Sequence, residues 1–429
     1  YTLLRGNSQQ RYFSALDEDD INVKAGLVYR LKDDVEEISN IRLGYTGRFV
    51  DDSFKATEYN LTVEHASDFP SLDGFLLDDY YNRDNLSSGW FKIQKNVDKY
   101  TVTKNIHSAY AEATYQFTSR WIVNLGLKYD YVDINVDYNV NRGGSEGSNT
   151  IRKDYFLPSL NLKYNLNEKH SLRLGASKTY TLPQAKEISP YRYVGVNFNS
   201  QGNPNLKPSD NYNFDLKWDF NPSPTELVSL TAFYKHIKDP ISRIEVASAG
   251  GYLSYENISD RATVAGVEVE IRKNLFVRPL SSAANGMNKL SFGLNGSYIY
   301  TNAKMPLATV TTGSQLEGAA PWIANFDLSH HFTRDERSFV NTLVLNYVSD
   351  KIYTIGTQGY QDIMERGLVT LDFVSQARLN KYLSLNLKAR NLLNPSHKLS
   401  RKANESGEKV VLGDYKKGIN ISLGVSCTF

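Results

Sequence analysis

Apolar and polar side chains alternate residue by residue in segment after segment of this chain. In the first, Ile21, Val23, Ala25, Leu27 and Tyr29 share one face, with Asn22, Lys24, Gly26 and Arg30 on the other. The same pattern sets Ile41, Leu43, Tyr45 and Phe49 against Arg42, Gly44, Thr46 and Arg48, and Val123, Leu125, Leu127 and Tyr129 against Asn124, Gly126, Lys128 and Asp130. It recurs at Leu160–Tyr164 and Leu383–Arg390, and again at Ile419–Phe429, where Ile419, Ile421, Leu423, Val425, Cys427 and Phe429 lie opposite Asn420, Ser422, Gly424, Ser426 and Thr428. A period of two is that of a β-strand with two different faces.

The breaks between segments come in two kinds. Short ones are expected at Lys32–Ile38, Thr118–Arg120, Leu166–Lys169, Asn221–Thr225, Thr333–Arg337 and Asn380–Tyr382, with a longer one at Asn274–Asn288. Long polar loops are expected at Ala56–Thr103, Asn139–Thr150, Pro183–Pro208, Ile244–Leu253, Lys304–Ser314, Thr354–Glu365 and Ser396–Asp414. Short and long alternate along the chain, as in an up-and-down antiparallel barrel that crosses a membrane. The predicted fold is therefore all-β, a transmembrane barrel wall of about 15 strands. An odd count implies that an odd number of strands is missing at the N-terminal side, because single-chain bacterial outer-membrane barrels have even numbers.

The polar face carries Arg30, Arg42, Arg48, Lys128, Lys163, Lys217, Glu268, Glu270, Arg272, Asp372, Arg378, Lys388 and Arg390. An Arg or Lys on a lipid face costs about 2–4 kcal/mol at the midplane, so this face is expected to line a lumen. Tyr115, Trp121, Tyr164, Trp218, Tyr298 and Tyr347 stand near segment ends, where aromatic belts meet the two interfaces. The 29 tyrosines and 12% aromatic content fit that reading. The negative mean hydropathy does not oppose it, since alternate residues face a polar lumen. No run of 18 apolar residues occurs, which excludes a helical span.

A net charge of +2 gives no electrostatic case for nucleic acid. The single Cys427 rules out an intrachain disulfide, and the first residues, YTLLRGNSQQ, lack the pattern of a signal peptide. No P-loop, G-x-S-x-G, H-E-x-x-H or EF-hand spacing is present, so neither an enzyme nor a cofactor is expected. His330 and His331 are adjacent, and neighbours on a strand point to opposite faces, so they make no chelate; no metal site is expected.

From Gly202 to Lys273 the chain holds three of these strands and a series of motifs: Gly202-Asn203-Pro204-Asn205-Leu206-Lys207-Pro208, Leu230-Thr231-Ala232-Phe233-Tyr234 with Ile237-Lys238-Asp239, Tyr255-Glu256-Asn257-Ile258, and Ala265-Gly266-Val267-Glu268. With Phe156-Leu157-Pro158-Ser159-Leu160-Asn161, Leu172-Arg173-Leu174-Gly175 and Ala389-Arg390-Asn391-Leu392-Leu393-Asn394, this order resembles the TonB-dependent outer-membrane receptors, particularly the Bacteroidota type. The resemblance covers roughly residues 105–429 well and the first hundred weakly. It implies a barrel of about 22 strands, of which about seven, with an N-terminal plug domain, lie outside this chain. It also implies active uptake of a scarce nutrient, of the siderophore, haem, oligosaccharide or peptide class, across the outer membrane. Implied partners are the inner-membrane TonB energy-transducing complex, reached through the missing N-terminal segment, the plug, outer-membrane lipid and a surface lipoprotein.

Ligand contact is expected in the outer loops at Asp78, Asp79, Tyr80, Tyr81 and Trp90, and at Tyr191, Arg192, Tyr193, Asn197 and Asn199, where aromatics stand beside charged and amide groups. The resemblance makes Arg30, Arg42, Lys128, Lys217, Glu268, Glu270, Arg272 and Arg390 candidates for facing the plug. Two other readings stay open: a non-transporting component of a secretion or adhesion assembly with a receptor-like barrel, and a passive porin.

Overall fold

The computed structural model describes residues 9–31, 38–63, 82–141, 145–195, 197–246, 251–280, 286–303, 315–357, 359–403 and 406–428. The strands within them are numbered β1 to β23 in chain order. One antiparallel sheet joins β1 (Gln9–Arg30), β2 (Asn40–Val63), β3 (Phe91–Gln116), β4 (Trp121–Val140), β5 (Ser145–Asn165), β6 (His170–Thr181), β9 (Ser209–Phe220) and β10 (Leu227–Lys238). It continues through β13 (Arg261–Pro279), β14 (Met287–Ala303), β15 (Trp322–Arg334), β16 (Arg337–Val348), β19 (Leu368–Arg378), β20 (Leu383–Arg390) and β23 (Asn420–Cys427). These are 15 strands in strict chain order, the number expected from alternation. Among the described residues β1 pairs only with β2, and β23 only with β20.

Cross-strand register carries one face around the whole sheet. Arg42 stands opposite Glu112, Lys128 opposite Leu157, and Lys217 opposite Arg173 and Thr231; Thr231 is in turn opposite Glu268. All thirteen charged residues expected on the lumen side fall on this face. The other face holds Leu125 and Leu127, 54% and 51% exposed, and is bounded by the aromatics expected to form two belts. Trp121 stacks on Tyr164 at one border, and Tyr298 contacts Trp322 at the other. His330 and His331 fall on opposite faces, and His330 bonds Asn288 at 2.9 Å.

Above the belt the pattern inverts. On β4 the outward residues change from Trp121, Val123, Leu125, Leu127, Tyr129 and Tyr131 to Asp133, Asn135, Asp137 and Asn139. The inward residues change at the same level, from Asn124, Gly126, Lys128 and Asp130 to Val132, Ile134 and Val136, which are 0%, 0% and 1% exposed. From Trp121 to Tyr131 the strand covers about 33 Å, which a tilt of about 40° reduces to about 25 Å, the height of the apolar band of an outer-membrane barrel. The strand therefore leaves the bilayer near Tyr131. Beyond it the outer face meets water and the inner face packs on protein.

This collar corrects two expected loops. Of Asn139–Thr150, residues 139–140 and 145–150 are ladder, with pairs from Ile134–Ile151 to Val140–Ser145. Much of Ala56–Thr103 is also ladder, since β2 and β3 pair as far as Val63–Phe91. Other long connections contain strands too. One four-stranded sheet orders β11 (Ile241–Val246), β12 (Tyr252–Asn257), β8 (Asn199–Gln201) and β7 (Arg192–Tyr193). A second orders β17 (Lys351–Thr354), β18 (Ile363–Glu365), β21 (Ser396–Lys402) and β22 (Lys409–Lys416).

Candidate functional site

The two small sheets meet where β11 leaves the wall. Alternation along Ile241-Ser242-Arg243-Ile244-Glu245-Val246 puts Arg243 and Glu245 on one face and buries Ser242 and Ile244 on the other. Ile244 bridges in parallel to Ile355, through Glu245 N–H to Ile355 O at 3.0 Å and Ile355 N–H to Arg243 O at 3.1 Å. Arg243 then ties three connections together. Its guanidinium pairs with Glu317 at 2.9 Å, donates to the Tyr353 carbonyl at 2.6 Å and lies 4.0 Å from the centre of the Tyr353 ring. Its backbone N–H donates to Glu317 as well, at 2.5 Å. Glu245 adds a fourth connection by pairing with Arg401, and Thr357 donates to the Glu245 carbonyl.

Burial governs the charges around this hub. It pushes the Glu317 carboxyl above the usual carboxylate range, against the opposing pull of Arg243, and does the same to Glu187 on the one-turn helix Ala185–Ile188. The Lys186 ammonium is pushed down, first by burial and then by Arg243. This is a low-dielectric layer over the lumen in which each charge depends on its partners.

The Gly202–Pro208 motif lies at the base of the same layer, and its role is visible in the bonds. Asn203 donates to the Tyr255 carbonyl at 2.9 Å, and its N–H donates to Glu187 O at 2.6 Å. Asn257 accepts from Lys207 N–H at 2.8 Å and donates to the carbonyls of Lys207 and Asp239 at 3.0 and 2.8 Å. Asp239 has φ +50°, a conformation Asp tolerates, and its carbonyl also accepts from Ser209 at 2.8 Å. A Cβ at Gly202 would run into the Ser189 carbonyl oxygen. Three sequence motifs thus meet at one knot that seats the collar on the wall.

Of the residues expected to contact ligand, Asp78, Asp79, Tyr80 and Tyr81 lie outside the described residues. Trp90 is half-buried at the start of β3. Tyr191 is 2% exposed, packed on Phe54 and Tyr100 and bonded to the Tyr12 hydroxyl, so it belongs to the collar core. Arg192 lies 5.6 Å over the Tyr252 ring, and Lys186 lies 4.1 Å over Tyr193, which is exposed. Asn197 is exposed, and Asn199 pairs with Tyr252. Arg192, Tyr193 and Asn199 are therefore gathered in one small sheet. Arg243, Glu317, Glu187 and Arg401 were missed by sequence reasoning. The alternation of Arg243 and Glu245 across the start of the expected loop Ile244–Leu253 was the available signal.

On the lumen face below, Arg272 pairs with Glu270 at 2.7 Å, Lys128 with Asp130 at 2.9 Å, Arg48 with Asp20 at 2.8 Å, and Lys217 and Arg173 both with Asp219 at 3.4 Å. Arg30, Arg42, Glu268 and Arg390 share that face by register, opposite Asn40, Glu112, Thr231 and Asn420. Among the described residues no three His, Cys, Asp or Glu side chains converge as a metal site.

The family described as TonB dependent receptor-like, beta-barrel matches residues 3–392. The iron-regulated outer membrane virulence protein of Vibrio cholerae is 25% identical over 228 residues, which are 51% of this chain and 32% of that protein. The ferric yersiniabactin uptake receptor FyuA of Yersinia pestis superposes on 98% of this chain and 55% of its own, with a TM-score of 0.60 at 14% identity. The copper transporter OprC does so over 97% of this chain and 57% of its own, with a TM-score of 0.62 at 13% identity. The chain thus spans little more than half the length of these solved structures, and the match covers about a third of the curated relative.

Proposed function

Because this chain belongs to the TonB-dependent receptor β-barrel family, a family of outer-membrane receptors, we propose that it forms the greater part of the wall of a receptor that actively takes up a scarce nutrient across the outer membrane. The observation that carries this reading is the pairing of a charged lumen wall with a roof knit from several outer connections through Arg243 and Glu245. A passive pore needs an open lumen, whereas a receptor needs a built outer surface that holds its ligand before entry. The reaction class is binding and movement, with no bond broken.

The remaining parts follow from the sheet edges. In a bilayer every backbone N–H and C=O must be paired, and among the described residues β1 and β23 each pair on one side only, which calls for further strands between them. We assign these, with a plug in the lumen, to the complete receptor, of Bacteroidota type. The plug would meet Arg30, Arg42, Lys128, Lys217, Glu268, Glu270, Arg272 and Arg390, and a segment before it would engage the inner-membrane TonB complex. A surface lipoprotein would meet the collar. Ligand contact is assigned to Arg192, Tyr193, Asn197, Asn199 and Trp90, and, from the sequence alone, to Asp78, Asp79, Tyr80 and Tyr81.

The ligands named for similar solved structures range from an iron chelate to copper; they support a transport reading and leave the ligand to experiment. Cells lacking the complete receptor should lose energy-dependent uptake of one ligand from a panel of ferric siderophores, haem, oligosaccharides and peptides. Loss of none, or uptake that persists when the proton-motive force is collapsed, would overturn the reading.

A further inference from the structure

One break in the sheet lies inside the membrane belt. The β5–β6 ladder stops at Ser159–Ser177, although β5 runs on to Ser145 and β6 to Thr181. Pro158 sits at the stop and has no N–H to continue the ladder. Above it the two strands part.

A crevice of about 650 Å³ opens at this seam on the outward, lipid-side face. Its lining is almost all carbon: Ala111 and Ala113 from β3, Leu127 from β4, Pro158 itself, Ala176 from β6 and Phe214 from β9. The small side chains leave the depth, and the larger ones form the walls. The one carboxylate at its edge, Glu112, accepts from Asn124 at 2.6 Å. Nothing but hydrocarbon meets this height of the wall, so the occupant of the crevice is an acyl chain.

The upper end of the crevice supplies a head-group site. Lys178 and Tyr212 line it there and are cross-strand partners. The ammonium groups of Lys178 and Lys238 lie 5.7 and 5.6 Å from the centre of the Tyr212 ring. Asp210, the cross-strand partner of Lys238, pairs with Lys153 at 3.1 Å and with Lys178 at 3.5 Å. Two lysines thus pair with one carboxylate and a third, Lys238, stands opposite it across the strands, near the level where the belt gives way to water; the surplus of positive charge suits a phosphate.

We infer that the seam between β5 and β6 binds an anionic, phosphate-bearing lipid of the outer leaflet, with an acyl chain in the crevice over Pro158 and Ala176 and the phosphate on Lys178 and Lys238. This inference needs the barrel wall alone and is independent of which nutrient is taken up.

The test is native mass spectrometry of the complete receptor, stripped of lipid in detergent and titrated with dimyristoyl phosphatidylglycerol against dimyristoyl phosphatidylcholine. The wild type should retain the phosphatidylglycerol preferentially. Lys178→Glu with Lys238→Glu should reduce its retention on the order of 10-fold. Lys169→Glu, at a short turn, should leave it unchanged. Ala176→Phe, which fills the crevice, should lower retention of both lipids, with Ala113→Leu as a milder filling variant. Heat-modifiable migration on gels confirms that each variant is folded. Equal retention of the two lipids by the wild type, or an unchanged preference after charge reversal, would overturn the inference.

Discussion

The lower and upper halves of β4 obey opposite rules on one continuous strand. Below Tyr131 the outward face is apolar and the inward face polar; above it Asp133, Asn135 and Asp137 face out while Val132, Ile134 and Val136 are buried inside. β2 changes in the same way after Phe49, with Val50, Phe54 and Ala56 buried on the inward side. β5 changes after Phe156, where the outward residues become Asp154 and Arg152. On β4 the backbone pairs with β3 and β5 in both halves. What differs is the solvent on each side: lipid outside and water inside below, water outside and protein inside above. The face a residue occupies is therefore not enough to fix its role; its height along the strand is needed as well.

Substitutions that remove apolar volume should separate the halves most. Ile134→Ala leaves a cavity in the collar core and should cost about 2–5 kcal/mol. Leu125→Ala only exchanges contacts with lipid and should cost a small fraction of that. Denaturant unfolding of the complete receptor in lipid vesicles measures both. Equal losses would mean that the upper half has no packed interior.

Charge should separate them in the opposite sense. Leu125→Arg places a cation in the belt and should cost about 2–4 kcal/mol, whereas Asn135→Arg, on the same face higher up, should stay within about 0.5 kcal/mol. The same unfolding assay applies. A large loss from the second would put Asn135 in the bilayer.

The collar hub gives an intermediate effect. Arg243→Ala leaves the mostly buried Glu317 unpaired and should lower the local opening energy by about 2 kcal/mol, below the value for a fully buried pair because each side chain keeps about a fifth of its surface. Glu317→Gln keeps an acceptor for the Arg243 N–H and should cost less. Hydrogen exchange at the Glu245 and Ile355 amides reports both, since these form the bridge beside Arg243.

The smallest effect is one of pH. Burial raises Glu317 and Glu187, so folding takes up protons between the ordinary Glu value and the raised one. Their contribution is fully present below the ordinary value and is lost as pH rises through the raised value. Asp350 is part-buried, which pushes it up, but the Gly367 N–H and Arg366 hold it down overall; its contribution is present at neutral pH and lost on acidification. Exchange of the Ile355 amide should therefore slow on mild acidification after correction for its intrinsic rate, and that of the Gly367 amide, bonded to Asp350 at 2.7 Å, should speed up. The same trend at both amides would contradict these assignments.

The wall was legible in the sequence because a bilayer enforces period-two alternation on every spanning strand. The strand total, the short turns at 118–120, 166–169, 221–225 and 380–382, and the lumen-side charges of Arg42, Lys128 and Glu268 follow from that single rule. The collar was harder to read because its outward face is polar like a loop. Residues 99–103, 139–140 and 145–150 therefore read as connections although they are paired. The Arg243 hub joins residues as far apart as Arg243 and Tyr353, and no local pattern encodes that meeting. The Gly202–Pro208 motif was visible as a string, but its function of tying Tyr255, Asn257 and Asp239 together required their positions in space.

The inversion itself can be measured directly. With Cys427 replaced by Ser, single spin labels along β4 from residue 123 to residue 139 can be read for collision with oxygen, which concentrates in lipid, and with a water-soluble nickel chelate. Labels at 123, 125 and 127 should collide with oxygen, those at 133, 135, 137 and 139 with nickel, and those at 132, 134 and 136 with neither. Oxygen access continuing through 133–139, or nickel access at 132–136, would contradict a strand that leaves the bilayer near Tyr131 and turns its apolar face inward.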